Sequence, residues 1–297
     1  MRDKSTKAAD RVPGQTLITV PELAVGLADP DWRVLDCRFD LFDPAAGRRA
    51  WQRGHLPGAL YADLERDLSA PATGPGGRHP LPAPASLVAQ LGRWGIEAGT
   101  QVVAYDDCGG LIAGRAWWLL RWLGHERVAV LDGGLAAWQA AGLPLSTARS
   151  EPPAVRYRPR APQGGAMPAL DAEELARRLA EDRLLLVDVR SPERYQGREE
   201  PIDPRAGHVP GALNLPLAGN LDGDGRFLPA ATLRERYAPL LARASGRALA
   251  VMCGSGVSAC QALIAMELAG LPAPMLYAGS WSDWISDPSR PVACGDA

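Results

Sequence analysis

Short apolar runs of four or five residues recur along the chain, separated by stretches whose apolar positions return every three or four residues. The runs Arg33–Asp36, Gln101–Tyr105, Ala129–Leu131, Leu184–Asp188, Ala248–Met252 and Pro274–Tyr277 read as buried strands. Between them the pattern is helical. Thr19-Val20-Pro21-Glu22 is a capping box, in which threonine and glutamate each satisfy an orphan amide at a helix start, and Asp171 with Glu174 opens a counterpart over Ala172–Ala180. Arg115–Leu123 and Cys260–Ala269 follow the central strands as apolar helices. Strand and helix alternating in this way predict an α/β fold with a mostly parallel sheet flanked by helices.

The pattern is written twice. Gly54-His55-Leu56-Pro57-Gly58-Ala59-Leu60 returns as Gly207-His208-Val209-Pro210-Gly211-Ala212-Leu213, 153 residues on. Upstream, Asp36-Cys37-Arg38 matches Asp188-Val189-Arg190 at an offset of 152, and downstream Gly133-Gly134 with Trp138 matches Gly279-Ser280 with Trp284 at 146. Three collinear matches mean a duplicated unit. Pro, Arg and Gly crowd Ala148–Pro168 without hydrophobic periodicity, which suits an extended linker. The expected units are therefore 16–147 and 169–292, joined by 148–168.

Length and composition agree with two folded units: 297 residues is about twice the ~150 that serves as a prior for one domain, with 46% hydrophobic and 22% charged residues. A net charge of −2 leaves no global positive field to hold nucleic acid or an anionic membrane. Met1–Val20 carries Asp3, Lys4, Lys7 and Asp10 and no apolar core, unlike a secretory signal, and no run approaches the ~18 apolar residues of a membrane span, so a cytoplasmic protein is expected. Five cysteines, an odd number with no Cys-x-x-Cys pair, argue against a disulfide framework and a zinc site.

One cysteine stands in a pattern that carries chemistry. Ala248–Met252 reads as a strand, Cys253-Gly254-Ser255-Gly256-Val257-Ser258-Ala259 as a loop of small residues, and an apolar helix follows. Ligands of open α/β sheets bind at that carboxyl edge, and the helix turns its amides and positive dipole end towards the loop, where a thiolate is stabilised. Gly254 and Gly256 allow several N–H groups to converge on one point. A cysteine phosphatase needs Cys-x5-Arg, but Ala259 holds the arginine's place, and a P-loop needs a lysine that is missing. Reading Cys253 as a mere packing residue leaves the Gly-x-Gly unexplained, whereas packing suffices for Cys260.

Offsets of 146 at Gly124/Gly270 and Trp138/Trp284 set Asp107 opposite Cys253 and Arg115 opposite Gln261. The first copy then lacks a nucleophile, and one active site per chain is expected. His55 and His208, Asp36 and Asp188, and Trp138 and Trp284 occur in both copies and read as fold-level residues, while Trp281 suits pocket or core.

These residues resemble the tandem-rhodanese sulfurtransferases, two rhodanese-like domains with the nucleophile only in the second. The likeness runs from about Thr16 to Pro291. The Cys253 loop is similar to the Cys-Gly-Ser-Gly-Val-Thr-Ala of the members that use 3-mercaptopyruvate, with Ser258 in place of Thr, rather than to the Cys-Arg-Lys-Gly-Val-Thr-Ala of those preferring thiosulfate. The resemblance implies that Cys253 takes sulfur from 3-mercaptopyruvate, releases pyruvate, and holds a persulfide among the amides of Gly254, Ser255, Gly256, Val257, Ser258 and Ala259 until cyanide, a small thiol or a thioredoxin-like protein removes it. It implies Arg194 as the substrate-carboxylate cation and a reaction that requires no metal or organic cofactor. The family's second arginine falls on Asp203, so nearby Arg205 or Arg198 is expected to take its place, with Arg205 preferred. It also implies a proton relay in which His79 with Glu65, or Asp63, acts on Ser255. The alternatives are a thiosulfate:cyanide sulfurtransferase and a persulfide carrier acting on a protein partner.

Overall fold

The computed structural model describes residues 15–74 and 76–296, so most of the N-terminal stretch read above for a leader lies outside the described residues. In chain order the first half contains β1 (Leu17–Ile18), α1 (Val20–Gly26), β2 (Trp32–Asp36), α2 (Ala46–Arg53), β3 (Leu60–Tyr61), α3 (Pro84–Arg93), β4 (Gln101–Tyr105), α4 (Ala113–Trp122), β5 (Val128–Leu131) and α5 (Gly134–Ala140). The second contains β6 (Ala169–Leu170), α6 (Ala172–Ala180), β7 (Leu184–Asp188), α7 (Pro192–Tyr195), β8 (Leu213–Asn214), α8 (Ala230–Ala244), β9 (Ala248–Met252), α9 (Ala259–Leu268), β10 (Met275–Tyr277) and α10 (Ser280–Trp284), with a 3₁₀ turn at Leu217–Asn220 before α8. Each half builds one five-stranded parallel sheet, ordered β1-β5-β4-β2-β3 and β6-β10-β9-β7-β8. The six expected strands are all present, and both capping residues act as read: Thr19 with Glu22, and Asp171 accepting from the Glu174 amide. The flanking two-residue strands are too short to show any alternation.

The duplicated motifs have matching structural tasks. Asp36 binds Arg38 and Asp188 binds Arg190 in buried ion pairs, and each arginine donates on to a backbone carbonyl, of Gly54 or Gly207, at the start of the repeated Gly-His motif. His55 Nδ1 contacts the Trp51 carbonyl and its ring stacks on Trp51, while His208 does the same with Tyr195. These histidines tie a turn to the preceding helix. Trp281 is buried under Arg190, its indole N–H donating to the Arg205 carbonyl 2.8 Å away, and is a core residue.

The pairing register corrects the internal alignment. β2 aligns Asp36 with Tyr105, and β7 aligns Asp188 with Met252. The residue after Tyr105 is Asp106, so Asp106, not Asp107, stands where Cys253 stands. Backbone bonds agree: Leu135 N–H donates to the Asp106 carbonyl as Trp281 N–H does to that of Cys253. The first loop is one residue longer, which is why a constant offset taken from the helices misses by one.

The halves meet along α4 and α9. One apolar core runs through both, joining Trp117, Trp118 and Leu120 to Leu263, Ile264 and Ala265. At Gly114 a Cβ would come within 3.1 Å of the Gln261 amide, so the missing side chain permits this approach. Segment 148–168 forms neither helix nor strand and lies along the first half, with Val155 and Ala161 amides bonded to the carbonyls of Gly92 and Leu123 and Tyr157 buried.

Candidate active site

Cys253 leaves the carboxyl end of β9 and is 2% exposed. Its amide donates to Ser280 Oγ at 3.1 Å, and its carbonyl and that of Gly254 accept the amides of Trp281 and Ser282. Ser280 takes a left-handed φ of 53°, a strained choice for a non-glycine, and its hydroxyl fastens the nucleophile's backbone. Gly256 has φ 73°, and a Cβ there would lie 2.0 Å from the Ala278 carbonyl oxygen. Only glycine fits that turn. Among the described residues the amides of Gly254, Ser255, Gly256, Val257 and Ser258 have no backbone acceptor, so they are left to bind an anion.

The first copy shows how such a loop is filled when an aspartate stands at the place of Cys253. Asp106 Oδ1 accepts the amides of Cys108 and Gly110, and Oδ2 those of Ile112 and Ala113, at 2.9–3.1 Å. A carboxylate closes the cradle from within. Cys253, whose shorter side chain carries no carboxylate, leaves its own cradle open.

The cleft over Cys253, about 400 Å³, is lined from both halves, by Phe39, Phe42, Arg78, His79, Cys108 and Ile112 of the first and Arg194, Ile202 and Ser255 of the second. Cys108 is no second nucleophile, since burial and then Asp106 push its thiol well up. His79 Nδ1 lies 2.8 Å from Ser255 Oγ. Burial, followed by the charges of Arg78 and Arg115, lowers the imidazole to about 4, so it is neutral near pH 7. It reaches the second half because Gly76 and Arg78 amides donate to Asp283 and Ser282 of α10, and because Gly77, where a Cβ would sit 2.5 Å from the Gly279 carbonyl, hugs the same helix.

Other expected residues are not brought to the site. Glu65 is exposed, and its amide donates to Asp63. Asp63 is spent on the amides of Glu65 and Arg66, capping its own turn. The Ser255–His79 pair therefore stands without the expected carboxylate, and His79 Nε2 has no partner among the described residues. Arg205 is exposed, with NH1 donating to the Arg290 carbonyl at 3.4 Å. Arg198 faces Glu193 at the surface.

The second cation comes from the other half. Asp203, 2% exposed in its side chain, binds Arg194 at 3.0 Å through one oxygen and Arg78 through the other. Glu200 also holds Arg194, at 2.7 Å, and shares a contact with Arg190. The two guanidiniums converge over Gly254, where a Cβ would meet Arg78 at 3.3 Å and Arg194 at 3.5 Å. Glycine at 254 thus clears the floor for them. The sequence did hold a signal: a carboxylate where a family arginine was expected calls for a cation elsewhere. It could not say that Arg78, 125 residues away, supplies it.

Known proteins show the same organisation. The model for the rhodanese-like domain matches residues 19–141 and again 171–287. A Pseudomonas aeruginosa protein named "Probable 3-mercaptopyruvate sulfurtransferase" is 52% identical over 284 residues, covering 94% of this chain and 98% of that protein. The thiosulfate sulfurtransferase of Gallus gallus is 30% identical over 263 residues, 85% of this chain and 86% of its own. Among solved structures, 3-mercaptopyruvate sulfurtransferase from Leishmania major superposes with a TM-score of 0.81 at 30% identity, over 95% of this chain and 77% of that one.

Proposed function

The chain belongs to the rhodanese family as a tandem of two rhodanese-like domains, and from that premise we propose a 3-mercaptopyruvate sulfurtransferase with one active site, at Cys253. The Cys253 thiolate attacks the donor sulfur, the sulfur–carbon bond breaks, and its electron pair stays on the methylene carbon as the enolate of pyruvate. The Ser255–His79 pair, joined at 2.8 Å, carries the donor's thiol proton to that carbon, and pyruvate leaves. The outer sulfur remains on Cys253 as a persulfide among the open amides of residues 254–258. An acceptor thiolate or cyanide then attacks it and returns the Cys253 thiolate. A small thiol or a thioredoxin-like protein in the cytoplasm is the acceptor we favour, and 16–147 and 169–292 are the units we assign.

The choice of donor rests on one observation. Arg78 and Arg194 are both tied to the buried Asp203, and Arg194 also to Glu200, while Arg190 is held by Asp188. Two cations offset by two carboxylates suit the single carboxylate of 3-mercaptopyruvate better than the dianion of thiosulfate, and Gly254 and Ser255 add no charge. The test compares pyruvate release from 3-mercaptopyruvate with sulfite release from thiosulfate, both to cyanide. A kcat/KM at least tenfold higher for 3-mercaptopyruvate is expected, and a preference for thiosulfate overturns the assignment. Cys253→Ser must abolish both.

A further inference from the structure

Ser282 of α10 touches both sides of the cleft, and the reaction above gives it no part. Its amide donates to the Gly254 carbonyl at 2.9 Å, beside the Trp281 amide that donates to the Cys253 carbonyl at 3.1 Å. Its hydroxyl accepts the Arg78 amide at 3.0 Å and donates to the Gly279 carbonyl at 3.3 Å. One short side chain therefore ties the nucleophile loop to the segment that carries the second cation and the relay histidine. Asp283 adds a second hold. Its Oδ1 accepts the Gly76 amide at 2.9 Å, and its Oδ2 accepts the Tyr277 hydroxyl at 2.8 Å, which fixes the carboxylate from its own half. Gly77 crosses between these anchors with a φ of 76°, and a Cβ there would come within 2.5 Å of Ser282 Oγ. The duplication supplies a contrast. The offset of 146 that aligns Trp138 with Trp284 sets Ala136 and Ala137 of α5 against Ser282 and Asp283. A methyl group neither donates nor accepts, so the polar pair stands only in the copy that has the nucleophile.

We propose that Ser282 is a positioning residue of sulfur transfer: it holds Arg78 and His79 in register with Cys253, so that the carboxylate site and the proton relay form against the nucleophile. Reacting groups must be held to within about 0.5 Å, and a displacement of about 1 Å can cost about a hundredfold in rate. The contacts beyond Ser282 are of this kind. The Arg78 guanidinium binds Asp203, and His79, the next residue, has Nδ1 2.8 Å from Ser255 Oγ. A backbone shift at residue 78 moves both. On the other side Arg115 donates to the carbonyls of His79, Pro80 and Gly256 at 3.1–3.2 Å, so the segment is held at two places, and Ser282 is the one next to Arg78. Cys253 does not depend on this hydroxyl, because its own amide and carbonyl are bonded to Ser280 Oγ and the Trp281 amide. Loss of the hydroxyl should therefore disturb the two residues of the first half and leave the thiol in place.

This inference rests on Arg78 and His79 serving the reaction as proposed above. Ser282→Ala, which removes the hydroxyl and keeps the amide, is compared with the wild type in pyruvate release from 3-mercaptopyruvate and in alkylation of Cys253 by iodoacetamide, followed by mass spectrometry of its peptide. KM is expected to rise about fivefold and kcat to fall about tenfold, while the alkylation rate changes by less than about twofold. These losses should not multiply with those of the residues that Ser282 positions. Added to Arg78→Ala it should change KM by less than about twofold, and added to His79→Gln it should change kcat by less than about twofold, because residues acting through one contact are not additive. Unchanged constants in Ser282→Ala, effects that multiply in the double variants, or an alkylation rate that falls along with turnover each overturn the proposal. If Ser282→Ala does not fold, Gly77→Ala answers instead, since its Cβ pushes the crossing segment away from Ser282 Oγ. The same division between turnover and alkylation is expected there, and unchanged constants overturn the proposal. Failure of the donor assignment would look different: the wild type itself would release no pyruvate from 3-mercaptopyruvate, and the variants would then be compared with thiosulfate as donor.

Discussion

Arg78 decides whether the substrate site is shared between the halves. Its guanidinium reaches Asp203 from the segment before α3 and meets Arg194 over Gly254. A hydrogen bond to a charged group contributes about 1.5–3 kcal/mol, so Arg78→Ala should raise KM for 3-mercaptopyruvate about tenfold to a hundredfold, with a much smaller effect on kcat. Steady-state kinetics check this, and an unchanged KM would remove Arg78 from the site. His79 allows a test by pH. Its imidazole stays neutral down to about 4 in the folded protein, chiefly through burial, whereas an unfolded histidine takes its proton near 6.5. Between those values the unfolded chain binds a proton that the folded one refuses, so stability falls as pH drops from about 6.5 to 4 and then levels. His79→Gln should lose that part of the slope, measured as the difference in urea midpoint between the two proteins at pH 7 and pH 4.5.

At the scale of elements, the informative comparison is between the two strand–loop–helix units, β4 to α4 and β9 to α9. Both need amides converging at a helix start, and they satisfy them in opposite ways. Asp106 accepts four amides in one loop, while among the described residues five in the other have no backbone acceptor. A buried amide left without its acceptor costs about 1–3 kcal/mol, so Asp106→Ala should destabilise the protein by at least about 3 kcal/mol, seen as a lower urea midpoint. Asp106→Asn, with one accepting oxygen, should fall between. A stability change below about 1 kcal/mol would show that the carboxylate does not hold that loop.

On the scale of the whole molecule, the halves share one core across α4 and α9, and His79, Arg78 and Arg115 all reach the second half from the first. Urea unfolding should therefore be a single transition by fluorescence and by circular dichroism, and residues 169–297 expressed alone should show no turnover. Two resolved transitions would mean that the seam contributes little. The chain's own order of residues was enough to reveal the duplication, the parallel α/β units and the strand–loop–helix at Cys253, because each unit is local: a strand, a turn and a helix within about fifteen residues, with its own periodicity and glycine chemistry. The contact of His79 with Ser255 was expected only through the family likeness. Glu65 and Arg205 were misjudged because closeness along the chain does not say which way a side chain faces, and Asp106 was missed by one position because strand register, not helix spacing, sets the alignment. What the tertiary structure alone decided was the pairing across the seam: Arg78 with Asp203, His79 with Ser255, and Arg115 with the Cys253 loop. Residues 125 to 176 positions apart meet there because two sheets are packed through α4 and α9, and nothing in either segment taken separately encodes that distance.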